Sequence, residues 1–151
     1  MRRGKIKFTS IISLYLALII FQSCHKDDPI YSSTPTIELV SVSSDNVAEG
    51  DPLTFRIKYT DGDGDLGENN ADAHNLFLTD NRVNVTYEYR IKELAPEGSS
   101  IIIRGYLDVV LNTTAITNGS SSQSVTYSIY VKDRAGNQSN TVTTGAITIH
   151  Q

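Results

Sequence analysis

Leu53-Thr54-Phe55-Arg56-Ile57-Lys58-Tyr59, continuing through Thr60 into Asp61-Gly62-Asp63-Gly64-Asp65-Leu66-Gly67, is the stretch that decides the fold. Leu53, Phe55, Ile57 and Tyr59 alternate with Thr54, Arg56 and Lys58, the period-two pattern of a strand with one buried face. Such a face needs a second apolar layer to cover it. The loop that follows carries three carboxylates separated by glycines. Like charges this close repel one another and gain nothing from packing, so the loop is either solvated or neutralised by a hard cation.

The same alternation recurs on both sides. Residues 36–43 place Ile37, Leu39 or Val40, and Val42 on one face. Residues 75–79 carry Leu76-Phe77-Leu78, and residues 83–92 alternate through Val83, Val85, Tyr87, Tyr89 and Ile91. Residues 101–111 align Ile101, Ile103, Leu107, Val109 and Leu111, with an irregularity expected at Gly105. Residues 123–132 alternate Val125, Tyr127, Ile129 and Val131, and residues 139–149 add Val142, Ala146, Ile147 and Ile149. Turn residues separate these runs: Glu49-Gly50-Asp51-Pro52, Asp80-Asn81-Arg82, Pro96 with Gly98, and Asp133-Arg134-Ala135-Gly136-Asn137. No sustained 3.6-residue apolar period occurs after the N-terminal segment. Seven strands with one apolar face each predict an all-β chain, a single sandwich of two packed sheets over residues 36–151.

The net charge of −4 is unevenly spread. Arg2, Arg3, Lys5 and Lys7 precede residue 10, and no acid appears before Asp27. Setting those four aside leaves 9 of the 13 bases against 17 acids, a balance of −8. No basic patch remains for phosphates, so no nucleic-acid partner is expected. Residues 1–23, with a basic start, the apolar run 11–21 and then Gln22-Ser23, follow the pattern of a secretory signal. The run is short for a membrane-spanning helix. Asp28-Pro29-Ile30-Tyr31-Ser32-Ser33-Thr34-Pro35 has two prolines and no apolar period, so residues 24–35 read as a tether.

Cys24, directly after Ser23, is the sole cysteine and has no partner for an internal disulfide. The segment resembles a loose bacterial lipobox of the Bacteroidetes type, which implies lipidation of Cys24 and a lipid anchor. His25-Lys26-Asp27-Asp28 resembles the short export signal of Bacteroidetes surface lipoproteins. That implies an outer-membrane, cell-surface location, with a periplasmic face or secretion as the alternatives. Over about residues 36–150 the chain resembles the immunoglobulin-like and cadherin-like domains of bacterial surface proteins. Tyr-Thr-Asp-Gly-Asp-Gly-Asp-Leu-Gly at 59–67 and Val-Lys-Asp-Arg-Ala-Gly-Asn-Gln-Ser-Asn at 131–140 carry the resemblance. The Cys…Trp…Cys pattern of antibody domains is absent, and no internal repeat is visible.

An up-and-down strand count gathers the loops 60–74, 93–100 and 133–138 at one end of the sandwich. That brings Asp133 and Asn137 toward Asp61, Asp63 and Asp65. These five are the candidate metal ligands, and Ca²⁺ is the ion they suit, since it takes six to eight oxygens at about 2.3–2.6 Å. With Asp72 at the twelfth position the spacing partly mimics an EF-hand. Leu66 stands where that loop needs glycine, and strands rather than helices flank it. Ordinary Asp-Gly turns and an Asx-turn at Asp133 are the alternative.

No nucleophile–base set or phosphate-binding loop is visible, so no enzymatic activity is expected. Two roles remain open. One is a structural or adhesive surface module, stiffened by Ca²⁺ and presented to a protein partner. The other is a carbohydrate-binding accessory of a glycan-uptake system. Exposure of Tyr87 and Tyr89 on one flat face with Tyr130 would favour the second.

Overall fold

The computed structural model describes residues 31–151, so the expected signal segment and Cys24 lie outside the described residues. It is all-β, with ten strands: β1 (Thr36–Val42), β2 (Asn46–Ala48), β3 (Leu53–Asp61), β4 (Leu76–Asp80), β5 (Val85–Tyr89), β6 (Ile103–Leu111), β7 (Ser122–Val125), β8 (Tyr127–Val131), β9 (Val142–Thr143) and β10 (Ile147–His150). One sheet has the order β1-β3-β6 and another β5-β4-β8-β9, both antiparallel. A third, β2-β10-β7, extends the second sheet, because β7 and β8 are one run of chain broken only at Thr126.

Ten strands stand where seven were expected, because two expected runs are interrupted and an extra strand forms after the first run. There the chain leaves β1 and, beyond the expected run, re-pairs as β2, parallel to β10. In the last run, Thr143 pairs with Ser128 while Ile147 pairs with Val125. Three residues therefore oppose two, a β-bulge that increases local twist. Thr144 seals the break: its Oγ1 accepts from the Tyr127 N–H at 3.0 Å, and its own N–H donates to the Tyr127 carbonyl at 2.9 Å. A second bulge lies in β1, where Leu39 pairs with Ile57 and Ser41 with Arg56. It turns Val40 outward and leaves Leu39 packed against the core.

The core lies between the sheets. Leu53, Phe55, Ile57 and Tyr59 of β3 face Leu76 and Leu78 of β4, and Tyr127, Ile129 and Val131 of β8. Phe55 meets Tyr127 edge-on, with ring centroids 5.1 Å apart, the arrangement aromatic quadrupoles prefer. Gly105 causes no irregularity. It pairs regularly with Tyr59, and a Cβ there would stand 2.7 Å from the Tyr59 hydroxyl, so the glycine makes room for the ring.

One alternating run does not mark a buried face. Val83, Val85 and Tyr87 are exposed, and β5 is only five residues long. β5 is an edge strand, and alternation reports a core only where the opposite sheet reaches over it. The loop ends group as the strand count predicts. At one end Glu68 N–H donates to the Ile91 carbonyl at 2.9 Å, and Arg134 reaches the Gly67 carbonyl at 2.7 Å. At the other, Gly50 N–H donates to the Thr114 carbonyl and Arg82 to the Ala115 carbonyl.

Candidate functional site

Asp61 is the last residue of β3, and the strand's alternation carries it to the inner face, where it is fully buried. Its Oδ2 accepts the Leu66 N–H at 2.9 Å, and Leu66 is itself fully buried. The loop is thereby pinned on a carboxylate beneath it and an apolar side chain driven into the core. Gly64 and Gly67, at φ of 77° and 88°, supply the left-handed turns that bring the chain back within five residues.

Asp61, Asp63 and Asp65 each place a carboxylate oxygen within 4.8 Å of the other two. The Oδ1 atoms of all three are buried and, with the carboxylates ionised, have no hydrogen-bond donor among the described residues. Two ionised carboxylates 4.8 Å apart repel by roughly 3 kcal/mol at an effective dielectric of about 20, and there are three such pairs. Burial first pushes the Asp61 carboxyl up, to about 6. The hydrogen bond that its protonated form makes to Asp63, and the Asp63 and Asp65 charges, add to the rise, while the Leu66 N–H opposes it. Burial, and then Asp133 and Asp63, also raise Asp65, while the Ala135 N–H and the Arg134 charge oppose the rise.

The three oxygens lie within 4.8 Å of one another, a spacing that fits inside the first shell of a Ca²⁺, where oxygens on opposite sides stand about 4.6–5.2 Å apart, twice the bond length. Mg²⁺ usually keeps several waters rather than an all-protein cage. Hard carboxylate donors with no imidazole or thiolate in the cluster also fit Ca²⁺.

The 133–137 turn does pack on this loop, but not in the form expected. Asp133 Oδ1 accepts the Asn137 N–H at 2.7 Å and Oδ2 accepts the Asn137 side-chain amide at 2.9 Å. The two residues bond each other; Asp133 is not one of the three clustered carboxylates, although its charge acts on Asp65. Arg134 and Ala135 make the contact instead. Arg134 N–H donates to the Asp65 carbonyl at 3.2 Å, and Ala135 N–H to Asp65 Oδ2 at 3.1 Å. The Arg134 guanidinium bonds the Gly67 carbonyl at 2.7 Å and the Gly64 carbonyl at 3.4 Å. Ala135 thus holds Asp65 Oδ2, while Asp65 Oδ1 is buried without a hydrogen-bond partner among the described residues. Asp72 is exposed and outside the group. Sequence reasoning misses the roles of Leu66, Arg134 and Ala135; only Arg134, a base set among acids, carries a signal in the sequence.

Two other regions bear on function. A cavity of about 410 Å³ opens between the edges of β5 and β6, lined by Leu76, Tyr89, Ile91, Leu94, Leu107 and Val109 among others. The Tyr89 hydroxyl spans it to the Val110 carbonyl at 3.1 Å. The tyrosines do not form one platform. Tyr87 and Tyr89 pair with Leu78 and Leu76, hence on the inner side, whereas Tyr130 lies outward against Phe77 at 4.7 Å. No protein-family model matches the chain, and no curated protein matches its sequence.

Proposed function

We propose that this chain is a non-catalytic, lipid-anchored module of the outer-membrane surface, an immunoglobulin-like sandwich braced by one Ca²⁺ at Asp61, Asp63 and Asp65, with a structural or adhesive role. One observation carries the cation: three carboxylates cluster within 4.8 Å, and each has a buried oxygen without a hydrogen-bond partner among the described residues. An isolated buried carboxylate is costly unless paired or bound to metal, and Arg134 commits its hydrogen bonds to carbonyls rather than to these oxygens.

The anchor and location rest on the segment ending at Cys24. The immunoglobulin-like type is supported by an N-terminal run that serves one sheet as β1 and the other as β2. The alternative, a carbohydrate-binding accessory, has less support, because Tyr87 and Tyr89 do not share a face with Tyr130.

Thermal melts of the protein in Ca²⁺ and in chelator test the cation. At free Ca²⁺ about 100 times Kd the gain is about 2.7 kcal/mol, a clear rise in midpoint. Superimposable melts would rule out the site.

A further inference from the structure

The loop that carries the carboxylates is also where the chain arriving from the anchor lands. Gly62 sits between Asp61 and Asp63, and its N–H donates to the Ser32 carbonyl at 3.0 Å. The approach is tight. A Cβ on Gly62 would collide with the Ser32 carbonyl oxygen and stand 2.8 Å from that of Tyr31, both backbone atoms that cannot swing aside. Beside it, the Arg104 guanidinium lies over the Tyr31 ring, 4.6 Å from its centroid. Residues 31–35 then run directly into β1, where Thr36 pairs with Thr60. Pro35, at the junction, is buried.

From this juxtaposition we infer that the cation site governs the tether: with Ca²⁺ bound, residues 31–35 are docked on the Asp61–Asp65 loop, and without it they are released. The inference rests on reading Asp61, Asp63 and Asp65 as a Ca²⁺ site. The physical link is short. Gly62 can meet Ser32 only while its peptide plane keeps the orientation set by its two neighbours, and those neighbours are ligands. Mutual repulsion of unneutralised carboxylates strains that orientation; a bound divalent cation fixes it.

The consequence lies in how far the domain stands from its anchor. Tyr31 lies seven residues along the chain from Cys24, a span of at most about 25 Å, and Thr36 lies twelve along, at most about 43 Å. Docking therefore holds the ion-bearing end close to the anchored surface, and release lengthens the leash.

Chymotrypsin cleaves after tyrosine, so Tyr31 reports its own docking. The full chain, in mild detergent, is digested in Ca²⁺ or in chelator, and the 32–151 fragment is followed by mass spectrometry. Its release is expected to be at least tenfold slower in Ca²⁺. Gly62→Ala keeps all three carboxylates; it should cleave quickly in both conditions while its melt still responds to Ca²⁺. Should Gly62→Ala fail to fold, Arg104→Ala serves, since it removes the cover on Tyr31 without touching the loop. A wild-type melt that rises with Ca²⁺ while Tyr31 is cut equally fast in both conditions would overturn the coupling and leave the metal site standing. A melt indifferent to Ca²⁺ would remove the metal site, and the coupling with it.

Discussion

Replacing Asp61 with Asn should have opposite effects depending on whether Ca²⁺ is present. Asp61 is fully buried, and its carboxyl is moved from 3.8 to about 6. Ionising such a group at neutral pH costs the cation-free fold about 3 kcal/mol relative to the unfolded chain, at 1.36 kcal/mol for each tenfold change. The substituted amide would carry no charge, could still accept the Leu66 N–H, and would turn its NH₂ toward Asp63. In chelator at pH 7.5 the variant should therefore be more stable than the wild type by up to about 3 kcal/mol, roughly 10 °C for a domain of this size. In saturating Ca²⁺ the order should reverse, because the variant has lost a charged ligand. At pH 5 in chelator, about midway between the unfolded and folded values, the gap should shrink to roughly half, and it should close only as pH falls below about 4. Differential scanning calorimetry under these three conditions provides the check. If Asp61→Asn lowers the midpoint in chelator at pH 7.5, Asp61 is an ordinary structural hydrogen-bond acceptor, and the argument from buried charge is wrong.

Other outcomes follow from the same structure. The wild type in chelator should lose stability as pH rises from about 4 to about 6: the folded Asp61 still holds a proton that the unfolded chain has released, so deprotonation works against the fold. Excess Ca²⁺ should remove that decline, since the ion requires ionised ligands, and melts across the range would show both trends. Arg82→Met should cost about 3–5 kcal/mol by urea unfolding, because Asp80, whose side chain is 4% exposed and bonds Arg82 at 2.6 Å, would be left as an uncompensated buried charge; adding Asp80→Asn should recover much of the loss. Cys24→Ala should move the protein from the membrane pellet to the soluble fraction, and retention in the pellet would count against the lipid anchor.

The parts of the molecule that can be read in the sequence are those set by short-range periodicity. The alternation of Leu53 to Tyr59 is sufficient to mark a core strand, and carried one step further it places Asp61 inward, beneath the loop rather than in it. Counting strands is enough to bring the 62–67 and 133–137 segments together. What stays hidden depends on partners far apart in the chain. The pattern at Val83, Val85 and Tyr87 matches that of a core strand, yet these side chains are exposed because nothing lies opposite that edge. The extra residue at Thr144–Ala146 shows only in the pairing with β7 and β8. Asp133 and Asn137 have the chemistry of ligands, but at four residues apart in a tight turn they bond each other. The docking of Ser32 on Gly62 joins residues thirty apart, and no local pattern announces it.

The most direct measurement is equilibrium dialysis of the protein against ⁴⁵Ca²⁺ at neutral pH, for the wild type and for Asp61→Asn with Asp63→Asn and Asp65→Asn. One Ca²⁺ per wild-type chain and none in the triple variant is the expected result. No bound Ca²⁺ in the wild type, or equal binding in both proteins, would contradict it.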